Sequence, residues 1–174
     1  MSKVYVGIDI GKSGAIATYY PDKTIFTLPM PLIKNELDYV QLAVYLNALK
    51  EAHDDVHVIF EKLGLVFGSS KKTAWSMGEQ SGAVEMACIA LKIPYTKIRP
   101  VDWQKDIFSG VPEMTKTPKP GSKTGSRDTK AMALVAIKRL FPNLTLNFGG
   151  RAVKPDDGLI DAVLLAEYGR RRNL

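Results

Sequence analysis

From Val4 to Ile10 the chain is almost entirely apolar and closes on Gly11-Lys12-Ser13-Gly14, the pattern of a strand followed by a turn. Gly14 to Tyr20 predicts a second strand. Asp22-Lys23 signals a turn, and Thr24 to Leu28 predicts a third, so the opening segment is expected to form an antiparallel meander. Asn35-Glu36-Leu37 is expected to open a helix that runs to Lys50 on Leu37, Val40, Leu42, Ala43, Leu46 and Leu49. Val56 to Phe60 predicts a buried strand ending at Glu61. A long helix follows over Thr73–Leu91, then a strand over Tyr95–Ile98 and a short helix over Pro100–Phe108. Thr129–Phe141 and Asp157–Arg170 return to helical spacing. Strands alternating with helices in this order imply one mixed sheet with helices packed on it.

Between Ser109 and Asp128 the pattern breaks. Three prolines, three glycines and the cations Lys116, Lys119, Lys123 and Arg127 predict a flexible basic surface loop at about 109–128. The 174 residues fit a single domain, 1–174. No apolar run approaches the ~20 residues of a membrane helix, and the N-terminus has no secretion pattern. Cys88, the one cysteine, lies among apolar neighbours and is expected to be a buried, inert thiol. These features suit a reducing, cytoplasmic setting. His53 and His57 lack ligand spacing and are expected at the surface or an edge. The net charge of +6 favours a polyanionic partner such as nucleic acid.

Four acidic residues stand apart because their surroundings are apolar. Asp9 lies within Val6-Gly7-Ile8-Asp9-Ile10-Gly11, Glu61 ends Val58-Ile59-Phe60, and Asp157 and Asp161 lie four apart on one face of the last helix. Ionised carboxylates near a core are costly, and converging ones raise each other's pKa. Divalent cations that prefer oxygen ligands remove the conflict. The alternatives are structural: Asp9 as a turn cap, Glu61 paired with Lys62, and Asp156 and Asp157 as charges favoured at a helix N-terminus.

Gly7-Ile8-Asp9-Ile10-Gly11 with Gly14, Phe60-Glu61-Lys62, Met77-Gly78-Glu79-Gln80-Ser81-Gly82-Ala83 and Asp157-Gly158-Leu159-Ile160-Asp161-Ala162-Val163-Leu164-Leu165-Ala166 together resemble the RuvC-like Holliday junction resolvases, phage variants most closely. The likeness spans about Lys3 to Tyr168. It implies an α/β, ribonuclease H-like fold: a mixed five-stranded sheet, three antiparallel strands then two parallel, flanked by helices. It further implies a homodimer that nicks four-way DNA junctions in pairs, using two Mg²⁺ ions per site with Mn²⁺ able to substitute. By position, Asp9, Glu61, Asp157 and Asp161 would be the catalytic metal ligands. The family's last two acidic positions are usually three apart; here they are four apart, and Asp156 is the alternative to Asp157. In the loop after Glu61, Phe67, or else Leu65, resembles a wedge residue at the junction centre. Lys105 matches a family lysine near the cleaved phosphate, and Trp103 is expected in the core. Lys71, Lys72, Lys116, Lys119, Lys123, Arg127 and Lys130 are candidate DNA contacts, as are Arg170–Arg172. The competing readings are a ribonuclease H-like nuclease for forks, flaps or RNA–DNA hybrids, an actin-like ATPase fragment, and a non-catalytic DNA-binding module.

Overall fold

The structure is a computed structural model that describes residues 3–62, 64, 70–118, 121, 124–149 and 154–174. Strands β1 (Val4–Asp9), β2 (Ala15–Tyr19) and β3 (Ile25–Pro29) form the expected meander. A small ribbon of β4 (Leu32–Ile33) and β5 (Glu36–Leu37) leads into helix α1 (Tyr39–Ala52). Strand β6 (Val56–Glu61), α2 (Lys71–Ala90), β7 (Tyr95–Ile98), α3 (Pro100–Ile107), α4 (Thr129–Leu140) and α5 (Asp157–Arg172) complete the order. The main sheet has five strands in the order β3-β2-β1-β6-β7. β1–β2 and β2–β3 pair antiparallel, whereas β1–β6 and β6–β7 pair parallel.

Both faces of the sheet are covered, which is why its central strands read as nearly continuous apolar runs. Strand periodicity sorts their side chains. Val4, Val6 and Ile8 of β1 and Val56, Val58 and Phe60 of β6 share a core with Leu42, Leu46 and Leu49 of α1 and Val84 and Cys88 of α2. Tyr5, Ala15, Ala17, Tyr19 and Ile59 face the other way, into a core built mainly from α3, α4 and α5. Gly7 belongs to this second face. A Cβ there would stand 2.0 Å from the carbonyl oxygen of Ala162, so α5 lies directly against the backbone of β1.

Two expectations need correction. The helix expected from Asn35 starts at Tyr39 instead. Lys34 and Asn35 both have positive φ, 50° and 60°, and form the two-residue turn between β4 and β5. Asp38 then caps α1, its side chain accepting a bond from the Gln41 N–H at 2.9 Å. The turn preference of asparagine outweighs the helical spacing, and Val40, assigned to the apolar face, is 74% exposed. His57 is buried rather than superficial, its Nε2 within 2.9 Å of Thr96 Oγ1. Within the basic segment, Thr115 and Arg127 form a bridge, Lys116 N–H donates to the Ser126 carbonyl and Asp128 N–H to that of Met114. Cys88 is fully buried, and burial pushes its thiol up to about 12. Among the described residues no helix is long and apolar enough to cross a membrane.

Candidate active site

Asp9 shares the strand parity of Tyr5 and Gly7, and Glu61 that of Ile59. Both therefore emerge on the α5 face, at the C-terminal ends of neighbouring parallel strands whose register brings Ile8 opposite Phe60. Asp161 comes to the same place because the first turns of α5 cross that end of β1. Gly158 permits the approach. A Cβ at this position would meet the Ser13 carbonyl oxygen at 2.4 Å, the Cα of Gly14 at 2.9 Å and Asp9 Oδ2 at 3.1 Å.

The half-buried carboxylates act on one another. Burial first, then the charges of Asp161, Glu61, Asp156 and Asp157, push Asp9 up to about 8. Among the described residues, every charge that shifts Asp9 is thus negative. Burial, Glu61 and Asp157 push Asp161 up to about 7, opposed by Lys130. Burial also raises Glu61, opposed by a hydrogen bond in which Trp103 Nε1–H donates to Oε1 at 2.8 Å. Glu61 thus turns to the indole, not to Lys62.

The last helix separates its acids by role. Asp156 is the N-cap, accepting from the Leu159 N–H at 2.8 Å, so its structural alternative describes it well. Asp157 is half exposed and bound at 2.6 Å by Lys130 Nζ. Among the described residues no three acidic, histidine or cysteine side chains come close enough together to hold a metal ion. The carboxylates are within electrostatic reach of each other, but their oxygens are not gathered around one point. Their chemistry is nevertheless an all-oxygen donor set, the type that suits a hard divalent ion.

The basic candidates divide. Lys130 reaches the acidic cluster. Lys105 is exposed on α3, and it is not among the charges that shift Asp9, Glu61 or Asp161. Lys71 and Lys72 are exposed in the first turn of α2, and the Lys116 side chain is exposed. Arg127 lies over the Phe108 ring, 5.8 Å from its centroid. Arg170 and Arg171 bind the buried Glu167, and Arg171 and Arg172 reach Asp106, so the C-terminal arginines are engaged within the chain. Phe67, Leu65, Lys119 and Lys123 lie outside the described residues. Sequence reasoning placed Trp103 in the core but missed its bond to Glu61. The available signal was general: a buried indole N–H seeks a partner.

No protein-family profile and no curated protein sequence matches this chain. Solved structures do. Thermus thermophilus RuvC in complex with a Holliday junction substrate matches with a TM-score of 0.53 and 12% identity, over 98% of this chain and 96% of that one. A second Thermus thermophilus RuvC structure matches with a TM-score of 0.53 and 16% identity over the same shares. At these identities the likeness defines the architecture, and the chain has a ribonuclease H-like α/β fold of the kind seen in RuvC.

Proposed function

We propose that this chain is a structure-selective DNA endonuclease that resolves four-way junctions. The observation that carries the reading is the position and electrostatics of Asp9. It is a half-buried carboxylate at the end of the central strand, and among the described residues the charges that shift it are all further carboxylates. Such a cluster is unfavourable as pure structure and fits a site completed from outside. The likeness to a RuvC bound to a Holliday junction substrate supports the choice of reaction and substrate.

Asp9, Glu61, Asp161 and Asp157 would hold Mg²⁺, or Mn²⁺ in its place, with Asp157 released from Lys130. Two bound ions would supply Lewis acidity at the scissile phosphodiester. The protein's own share is orientation. The backbone contact at Gly158 fixes the approach of Asp161 to Asp9, and Lys130, freed from Asp157, is placed to meet a phosphate. Hydrolysis by water leaves a 5′-phosphate and a 3′-hydroxyl. A two-fold homodimer would address two strands of a symmetric junction. The exposed apolar side chains Val40 and Val44 of α1 and Trp75, Met86 and Ile89 of α2 support that helical layer as the surface between copies.

The test is a cleavage panel of labelled four-way junction, fork, flap and RNA–DNA hybrid, with and without Mg²⁺. Paired nicks in the junction are expected, and Asp9→Asn should bind the junction without cutting it. Preferential cutting of another substrate would move the assignment to that branch of the fold. No cutting of any substrate would end the nuclease reading.

A further inference from the structure

Trp103 sits between the core and the acidic cluster. The residue is 1% exposed. Phe108 meets it edge-on, with centroids 5.9 Å apart and planes at 70°, and Arg127 covers Phe108 in turn. The helix that carries Trp103 is tied to α5 through Asp106, which receives Arg171 and Arg172. The indole therefore has little freedom to turn, and its single N–H is aimed at Glu61 Oε1. Among the described residues Oε1 is the only Glu61 side-chain oxygen that accepts a hydrogen bond.

The kind of donor matters. A lysine or arginine here would neutralise Glu61 and compete with any arriving cation. An indole N–H carries no net charge and donates once. It can select one oxygen and orient the carboxylate while leaving its negative charge available. Partners of this type behind a ligand fix its direction and commonly govern affinity.

We propose that Trp103 is a positioning residue of the cation site, holding Glu61 by one oxygen so that the other is presented toward Asp9 and Asp161. The proposal rests on the reading of those acids as cation ligands. It assigns Trp103 no contact with substrate.

Calorimetric titration with Mn²⁺, and with Ca²⁺ as a non-cleaving probe, tests it directly. The Trp103→Phe protein keeps an aromatic ring and loses only the N–H donor and part of the ring area. Its cation affinity should fall by about 10-fold or more, within the range typical of such supporting partners. The chain has two tryptophans, so in a Trp75→Phe protein the emission comes from Trp103 alone. That emission should change saturably with the calorimetric midpoint, and Asp9→Asn should abolish the change. Unchanged affinity in Trp103→Phe overturns the proposal while leaving the cation site intact. Should Trp103→Phe fail to fold, the emission arm decides, because there the indole is retained; emission indifferent to a bound cation overturns the proposal. An unsubstituted protein that binds neither ion overturns the metal reading itself, and this inference with it.

Discussion

Helix α5 carries an acid withdrawn from solvent near each end, half-buried Asp161 and buried Glu167, and the two ends resolve it in opposite ways. Toward the C-terminus, Glu167 is 3% exposed and accepts bonds from Arg170 Nε and Nη2 and from Arg171 Nε at 2.7–2.9 Å. Burial pulls its pKa upward, but the two guanidinium groups prevail and hold it below the ordinary glutamate value. Toward the N-terminus, Asp161 and its neighbour Asp9 are pushed up to about 7 and about 8, and among the described residues only Lys130 acts against the trend. One end is a closed ion network that ties helices together. The other is left unneutralised, which lowers stability and is the condition expected of a site that takes an external cation.

The sharpest way to break this comparison is to neutralise one acid at each end. Glu167→Gln leaves two guanidinium groups without their buried partner, and should cost about 3–5 kcal/mol, as breaking a buried pair does. For a chain of this size that is a fall in melting temperature of roughly 10 °C. Asp9→Asn should act with the opposite sign and raise the melting temperature by a few degrees at about pH 8 without divalent ions. Equal destabilisation by both substitutions in calorimetry would erase the distinction.

The pH profile gives a smaller and independent effect. Asp9 and Asp161 hold protons more tightly in the folded chain than in the unfolded one, so unfolding releases protons between about pH 4 and about pH 8. Their contribution therefore makes the metal-free protein less stable as pH rises through that window. Glu167 contributes in the other sense, with stability that is lost as pH falls through its depressed pKa. Thermal melts of the unsubstituted and Asp9→Asn proteins should diverge with rising pH; parallel curves would show that Asp9 does not titrate in this range. The smallest expected effect is that of Lys130→Ala. Its pair with Asp157 is more than half exposed on both sides, so stability should change by less than about 1 kcal/mol. Divalent-ion affinity should tighten a few-fold, because a competing ammonium group is gone. Weaker ion binding in that protein would show that Lys130 assists the site instead.

Much of the scaffold was legible because strand and helix periods are local properties. The meander, the two later strands and the last helix follow from apolar spacing, the parallel pairing of those two strands was implied by the family resemblance, and strand parity alone puts Asp9 and Glu61 on the faces of Gly7 and Ile59. The start of α1 was misread because Lys34-Asn35 encodes a turn inside what looks like a helical pattern. The site was only partly legible. The acids are recognisable by their apolar neighbours, but the Lys130–Asp157 pair and the capping role of Asp156 depend on where α4 and α5 meet. The C-terminal arginines show the same limit: their charge suggested phosphate contact, while the fold commits them to Glu167 and Asp106.

Gly158 has a consequence for how the acidic pocket could change over time. The first turn of α5 packs at Gly158 against the main chain of Ser13 and Gly14, in the turn after β1, with Asp9 Oδ2 beside them, and position 158 has no rotamer available to widen or narrow the gap. A single methyl group there would act as a shim, tilting the helix and displacing Asp161 without altering any acidic residue. The dimensions of the pocket are thus guarded by the absence of a side chain, and a protein could lose the chemistry while keeping every carboxylate.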